Sequence, residues 1–279
     1  MADGAHRQGL SVLVTGAGTG IGQAIAERLA DAGSVVVGTV RDAERAARRT
    51  QAAALAGRPL RYVALELTDA GQIADVAAGI LADGGVNALV HNAGFGVFGA
   101  IEEVDGAATE RQFAVNVFGP LALTRALLPS LRARAGHIVW IGSLAGRMAL
   151  PFQGHYSATK AAIASLSDAL RMELSPYGVR VTCVEPSDFA TGFTDARRIT
   201  RSQDSAYAAA LDRCLKEVER QERAAPSPER VAGVVQALLE APTPPPRRPV
   251  GGNARLICLL HRLTPARLAE RMVRGHYRV

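Results

Sequence analysis

The chain has 279 residues and a mass of 29.3 kDa, enough for one large domain or two small ones and too short for two full-size enzymes. With 48% hydrophobic and 21% charged residues it can bury a sizeable core, which excludes wholesale disorder. The formal charge of +6, carried almost wholly by arginine, and a pI near 9.7 raise the question of a nucleic-acid or membrane partner.

In chain order, short aliphatic runs at 11–15, 35–40, 62–67, 88–91, 137–142 and 179–185 predict strands. Each run is continuous rather than alternating, as expected of strands covered on both faces. Between them, Ala- and Arg-rich stretches at 22–32, 43–56, 72–82 and 111–133 carry helical spacing. This strand–helix repetition argues for an α/β fold, a doubly wound parallel sheet of the Rossmann type, filling residues 1–252. Residues 196–225 are charged and helical with no strand, and read as a lid over a substrate site. Five prolines between 242 and 249 predict a stiff, non-helical connector. Beyond it lies an Arg-rich amphipathic segment, 253–279.

Cys183, Cys214 and Cys258 are far apart and form no metal spacing with the six histidines, so no metal site is expected and a reduced, cytoplasmic chain is. The run 10–14 is too short for a signal peptide and ends in glycines, and the aliphatic run 256–260 is too short to span a bilayer.

The first strand runs into Thr15-Gly16-Ala17-Gly18-Thr19-Gly20-Ile21-Gly22 and then a helix. Glycines allow the tight turn and the close approach of a pyrophosphate, and the helix start supplies N–H groups. A lone glycine cluster would be weak, but the strand before and helix after favour a dinucleotide site. The second strand ends in Thr39-Val40-Arg41-Asp42, with no acid at its tip to hold an unphosphorylated ribose. Arg41 would instead attract a 2′-phosphate, so NADP(H) is expected over NAD(H).

Further on, Tyr156 and Lys160 lie about 40° apart on a helix and continue the apolar stripe of Ile163, Leu166, Leu170 and Leu174. A free phenol ionises near pH ~10, too high for a proton shuttle. A neighbouring ammonium, with an oxidised nicotinamide, is expected to lower it. Ser143, just past the strand at 137–142, could hold a substrate oxygen beside the phenol.

These motifs together resemble the short-chain dehydrogenase/reductase superfamily, in its branch with a TGxxxGxG turn and a YxxxK pair. The resemblance rests on TGAGTGIG at 15–22, HNAG at 91–94, the Asn of FAVNVFGP at 116, Ser143, YSATK at 156–160 and PSDFAT at 186–191. It implies that Tyr156 is the general acid/base, that Ser143 orients the substrate oxygen, and that Lys160 binds the nicotinamide ribose and lowers the tyrosine pKa. It implies that Asn116 holds a water of a proton relay, that Asn92, Ala93 and Gly94 line the adenosine ribose, and that Glu66 and Leu67 contact adenine. Pro186 and Thr191 would meet the nicotinamide end. Glu66, His91 and Ser187 depart from the usual Asp, Asn and Gly. The stretches GTVRD at 38–42 and VEPSDFATGF at 184–193 resemble the NADP(H)-using hydroxysteroid and retinol dehydrogenases.

Loop aromatics and aliphatics, namely Phe95, Val97, Phe98, Met148, Leu150, Phe152, Phe189 and Phe193, suggest a pocket for an apolar substrate, their alternative role being to pack loops onto the core. The expected activity is hydride transfer between NADP(H) and a lipophilic secondary alcohol or ketone. The rivals are a 3-oxoacyl-thioester reductase whose basic segment docks an acidic carrier, a non-catalytic NADP(H) sensor, and a nucleic-acid binder. The resemblance also suggests a homo-oligomer, dimer or tetramer, through helices at 111–133 and 156–177. Nucleic acid is disfavoured by the charge distribution: residues 247–279 hold eight Arg and one Glu, leaving the rest of the chain near neutral. The basic segment is expected to fold back over the cleft or a subunit, with peripheral membrane contact as the alternative.

Overall fold

A computed structural model describes residues 9–191 and 197–279. Seven strands form one parallel sheet: β1 (Ser11–Val14), β2 (Val35–Val40), β3 (Leu60–Ala64), β4 (Ala88–His91), β6 (His137–Ile141), β7 (Arg180–Pro186) and β9 (Arg247–Val250), in the order β3-β2-β1-β4-β6-β7-β9. Two short strands, β5 (Val97–Phe98) and β8 (Arg198–Ile199), pair separately. The order reverses between β1 and β4, which opens a crevice beyond their carboxyl ends. The Rossmann-type α/β fold expected from the sequence is the fold observed.

Helices cover both faces. On one side α1 (Gly20–Asp31), α2 (Ala43–Leu55) and α8 (Glu229–Glu240) pack with Val12, Val14, Val36 and Val139. On the other, α3 (Ala70–Ala82), α5 (Gly119–Ala133) and α6 (Gly154–Leu174) pack with Leu13, Leu89, Ile138 and Val181. Successive strand residues thus serve opposite cores, which is why the strands read as continuous apolar runs. Helix α4 (Gly106–Phe113) continues through a π turn, Ala114–Phe118, into α5. This stretch is long and apolar enough by composition to cross a membrane, but Leu123, Leu127 and Leu131 are fully buried against the sheet.

Two differences from the sequence reading matter. The proline-rich connector contains β9, because an edge strand tolerates residues without an N–H. Arg247 in that strand reaches Asp168 (2.5 Å) and the buried Glu185 (3.4 Å), and Arg147 also holds Glu185 at 2.8 Å. Between 197 and 225, where no strand was expected, β8 pairs with β5 before α7 (Ala208–Arg223) lies over the crevice; Ala196 is outside the described residues. Beyond β9 come α9 (Ala254–Leu263) and α10 (Ala266–Tyr277).

His91 and His137 are both buried among apolar groups. His91 stacks over Trp140 at 4.2 Å, with its Nε2 2.7 Å from the Thr124 hydroxyl and its Nδ1 without a hydrogen-bond partner. Burial pushes both imidazoles down to about 3, so both are neutral in the fold. An unfolded imidazole binds its proton near pH ~6.5, so this stability is complete above that pH and is lost as pH falls toward the folded value. Each histidine should remove about 1.4 kcal/mol of stability per pH unit in that window. Urea titrations at pH 7.5 and pH 5 should show the loss, and His91→Asn should remove roughly half of it; an unchanged midpoint at pH 5 would mean solvated imidazoles.

Candidate active site

The glycine turn sits at the reversal point of the sheet. Gly16 has φ +64°, a conformation that favours glycine, and its N–H donates to the Thr39 hydroxyl at 3.2 Å. Thr39 therefore supports the turn while also lining the cavity. A Cβ on Gly22 would stand 2.3 Å from both the Asn92 amide and the Gly16 carbonyl, so Gly22 permits helix–strand packing and does not line the cavity. Asn92 donates to the carbonyls of Thr15 and Gly16 at 3.1 Å, tying the turn to the end of β4. Helices α2, α3 and α4 are capped by Asp42, Asp69 and Asp105, whereas Thr19 makes no side-chain cap on α1. The first N–H groups of α1 thus face the cavity at Gly18–Ile21 and suit an anionic diphosphate.

At the tip of β2, Arg41 lines the cavity as expected, and Asp42 caps α2 by accepting from the Arg45 N–H at 2.7 Å. The sequence reading missed Arg45 and Arg49, whose guanidinium groups donate to the Gly18 carbonyl at 3.2 and 2.5 Å. The signal was present, since four residues separate them on one helix face. Glu66 and Leu67 line the cavity beyond β3; Glu66 accepts from both the N–H and the hydroxyl of Thr68 and lies 3.5 Å from Arg111. Ala93, Gly94, Pro186 and Thr191 line it too, and Thr191 lies over the turn, 3.2 Å from where a Gly20 Cβ would be. Ser187 is accommodated across the sheet edge by Gly251, where any Cβ would strike the serine hydroxyl.

Ser143, Tyr156 and Lys160 converge on the same cavity. Lys160 is buried, its Nζ donates to the Ile141 carbonyl at 2.9 Å, and it lies 5.6 Å from the centre of the Tyr156 ring. Burial pulls its pKa down to about 8. Tyr156 is pushed up to about 12, first by burial, against a hydrogen bond from Ser143 that acts downward; the Glu222 and Asp188 carboxylates raise it further and Arg197 lowers it. The expected lowering of the phenol by its neighbours is therefore not a property of the protein alone: desolvation outweighs every favourable contact.

Asn116 lies in the π turn, away from the cavity wall. Its side chain accepts from the Phe95 N–H (3.1 Å) and donates to the Phe95 carbonyl (3.0 Å) and the Thr159 hydroxyl (3.1 Å). The amide expected to hold a relay water is engaged in positioning Gly94–Phe95 against α6.

The cavity encloses about 910 Å³ and runs from the glycine turn past Tyr156 to α7, α9 and α10. Its apolar wall differs from the expected one. Phe95, Met148 and Leu150 line it, and Phe189 touches it from within the core. Phe152 packs instead on Phe98 and Tyr207, behind the wall; Phe193 lies outside the described residues. Loop aromatics signal burial without showing toward what, and here two of them anchor loops. The missing wall is supplied by Val218 of α7 and by Ile257, Leu260, Met272, Val273 and Tyr277 of the C-terminal segment. Helix α7 is fixed by the Arg197–Glu222 pair (2.5 Å), whose guanidinium lies over Phe98. No metal-binding cluster of His, Cys, Asp or Glu occurs among the described residues.

Residues 11–202 match the family model described as short chain dehydrogenase. A relative from Bacteroides thetaiotaomicron, a 3-ketodihydrosphingosine reductase, is 33% identical over 244 residues, covering 86% of this chain and 87% of its own. A solved short-chain dehydrogenase from Streptomyces avermitilis superposes with a TM-score of 0.83 at 34% identity, over 97% of this chain and 99% of that one. A closed serine dehydrogenase bound to NADP+ (TM-score 0.75, 28% identity, 87% and 95% covered) and a Burkholderia phymatum short-chain dehydrogenase/reductase bound to NAD (0.78, 28%, 92% and 92%) share the fold. The chain belongs to the short-chain dehydrogenase family. It is an oxidoreductase of that family, with one α/β catalytic domain.

In the free protein the Tyr156 phenol should ionise well above its ordinary value, near pH 12. Ultraviolet difference titration of the parent protein against Tyr156→Phe isolates that phenol, and ionisation at or below pH ~10 would contradict burial as the dominant influence.

Proposed function

We propose that the protein is an NADP(H)-dependent carbonyl reductase or alcohol dehydrogenase acting on a lipophilic ketone or secondary alcohol. The observation that carries this reading is the meeting of Ser143, Tyr156 and Lys160 with the glycine turn in one cavity whose far wall is apolar. The uncapped start of α1 and the glycine turn would hold the cofactor's diphosphate, Leu67 and Ala93 its adenosine, and Lys160 its nicotinamide ribose. When bound, the nicotinamide supplies or accepts the hydride and, in its oxidised form, a positive charge beside the phenol. Ser143 and Tyr156 hold the substrate oxygen. In reduction Tyr156, protonated throughout the neutral range, donates its O–H proton to that oxygen. In oxidation Tyr156 must first be ionised to accept the proton, which burial in the bare site opposes and the positive charge of a bound oxidised nicotinamide would favour.

The cofactor preference rests on charge. Arg41, Arg45 and Arg49 gather near the β2 tip, where Asp42 is engaged as a helix cap and Glu66, just beyond β3, is engaged by Thr68 and lies 3.5 Å from Arg111. A 2′-phosphate would meet guanidinium groups in place of a carboxylate. The substrate preference rests on the aliphatic wall, and the Bacteroides relative named for a ketone of a long-chain base fits it. Exposed Phe118 on the π turn and Met172 on α6 support a homo-oligomer through those helices. The sensor reading gains nothing from an assembled proton-transfer site. We place the protein in the cytoplasm, its three cysteines being unpaired.

Purified protein should oxidise NADPH with a panel of apolar ketones, and Tyr156→Phe should lower kcat by about 10²–10⁴-fold while leaving cofactor binding by fluorescence titration unchanged. Equal turnover by that variant would overturn the mechanism. Activity with acyl thioesters and none with free ketones would favour the carrier-linked alternative. Arg41→Ala should raise KM for NADPH by about tenfold or more and leave KM for NADH nearly unchanged; parallel changes in both would refute 2′-phosphate recognition by Arg41.

A further inference from the structure

Helices α9 and α10 do two things at once: they wall the substrate cavity and present large apolar side chains outward. The cavity-lining set is Ile257 and Leu260 on α9, themselves partly exposed (38% and 46%), Thr264 just after it, and Val273, His276 and Tyr277 on α10. The outward set is Leu256 (52% exposed), Leu259 (55%) and Leu263 (72%) on α9 and Leu268 (49%) on α10. At 100° per residue the three α9 leucines fall within about 60° of one another, directly beside the cavity-facing stripe. On their other side Arg255 and Arg262 project about 80–100° from the stripe. Helix α10 repeats the order, with Arg267, Arg271 and Arg274, then Leu268, then Met272, which is 56% exposed yet also lines the cavity. Round each helix the sequence is arginine, exposed aliphatic, cavity.

We propose that this face docks on an anionic lipid bilayer and is the portal through which a lipophilic substrate enters from the membrane. The substrate part rests on the function proposed above; the docking part does not. Arginines flanking an exposed aliphatic stripe on a short helix are the arrangement of an interfacial helix, the leucines entering the acyl boundary while the guanidinium groups meet lipid phosphates. The charge selects this occupant. None of the five arginines on α9 and α10 has a carboxylate partner among the described residues, whereas Arg247 and Arg278 are paired with Asp168 and Glu217. The segment 247–279 carries eight Arg and one Glu, so a second copy of the chain docking across a twofold axis would set two strongly basic surfaces against each other. A bilayer rich in anionic headgroups answers both the charge and the apolar stripe. Because Ile257, Leu260 and Met272 belong to both sets, the docked face is continuous with the cavity wall. A substrate chain could then leave the acyl layer without crossing water.

Vesicle flotation tests the docking. The full chain should float with phosphatidylcholine vesicles containing about 30% phosphatidylglycerol, and far less with phosphatidylcholine alone. Binding should fall by at least about tenfold in the variant with Arg255, Arg262, Arg267, Arg271 and Arg274 changed to Gln, and in the variant L259S/L263S/L268S. Failure to float with anionic vesicles overturns the proposal. So does sedimentation equilibrium showing a dimer that the leucine variant abolishes, which would make a second copy the occupant. A kinetic arm tests the portal: NADPH oxidation with a small water-soluble ketone should be equal in parent and leucine variant, while turnover of a long-chain ketone supplied in anionic vesicles should drop about tenfold in the variant. Equal turnover of the vesicle-borne ketone refutes the portal. Absence of turnover by the parent with every ketone, with flotation intact, refutes the proposed function and leaves docking standing.

Discussion

The Lys160 ammonium is the point on which the rest of the site depends. A buried cation is costly unless its hydrogens find acceptors, and Nζ reaches the carbonyl of Ile141 at the end of β6. That bond ties α6 to the strand that delivers Ser143, so the phenol and the serine are positioned by one contact. The surroundings are fitted around it. Gly146 must lack a side chain because a Cβ there would lie 2.7 Å from the Lys160 carbonyl. Thr159, next in the chain, is held by Asn116, which also grips the backbone of Phe95. The lysine's strand, helix and facing loop thus form one hydrogen-bonded unit.

The electrostatics of the empty site run against ionised tyrosine. Burial raises the phenol, burial lowers the ammonium, and carboxylates from α7 and from the loop after β7 lie on the same side. Such a site keeps its acid protonated until charge arrives from outside. Its opposite end is the reverse: a helix start without a side-chain cap and arginines bonded to the Gly18 carbonyl make a positive basin. One cavity therefore holds two electrostatic regimes, an anion-seeking end and a proton-holding end, with the sheet's reversal point between them.

Much of the fold was legible because buried parallel strands leave continuous aliphatic runs, and six of the seven main-sheet strands carry one. Strand β9, Arg-Arg-Pro-Val, did not, since its proline masks an edge position where no N–H is required. The site was legible where spacing encodes geometry, as with Tyr156 and Lys160 one helical turn apart. It was opaque where direction matters. Phe152 and Phe95 look alike as loop aromatics, yet one faces Tyr207 and the other the cavity. The π turn at Asn116 was equally hidden, because one widened turn barely shifts the apolar period. The amphipathic pattern of 253–279 pointed to a segment folding back over the cleft, as α9 and α10 do; which of its residues reach the cavity depends on a long-range return of the chain that no local pattern specifies.

That return leaves the cleft with two sides of unequal strength. The inner side is built from β6, β7 and α6, whose Val139, Val184 and Ile163 are buried in the core. The outer side has little holding it: α10 contains no fully buried residue and α9 only Ala254. Segments with so little interior surface open in local fluctuations at a small fraction of the global unfolding free energy. Amide protons in the outer wall should accordingly exchange long before those of the sheet. The enclosure can be breached and reformed repeatedly while the reacting groups behind it keep their places.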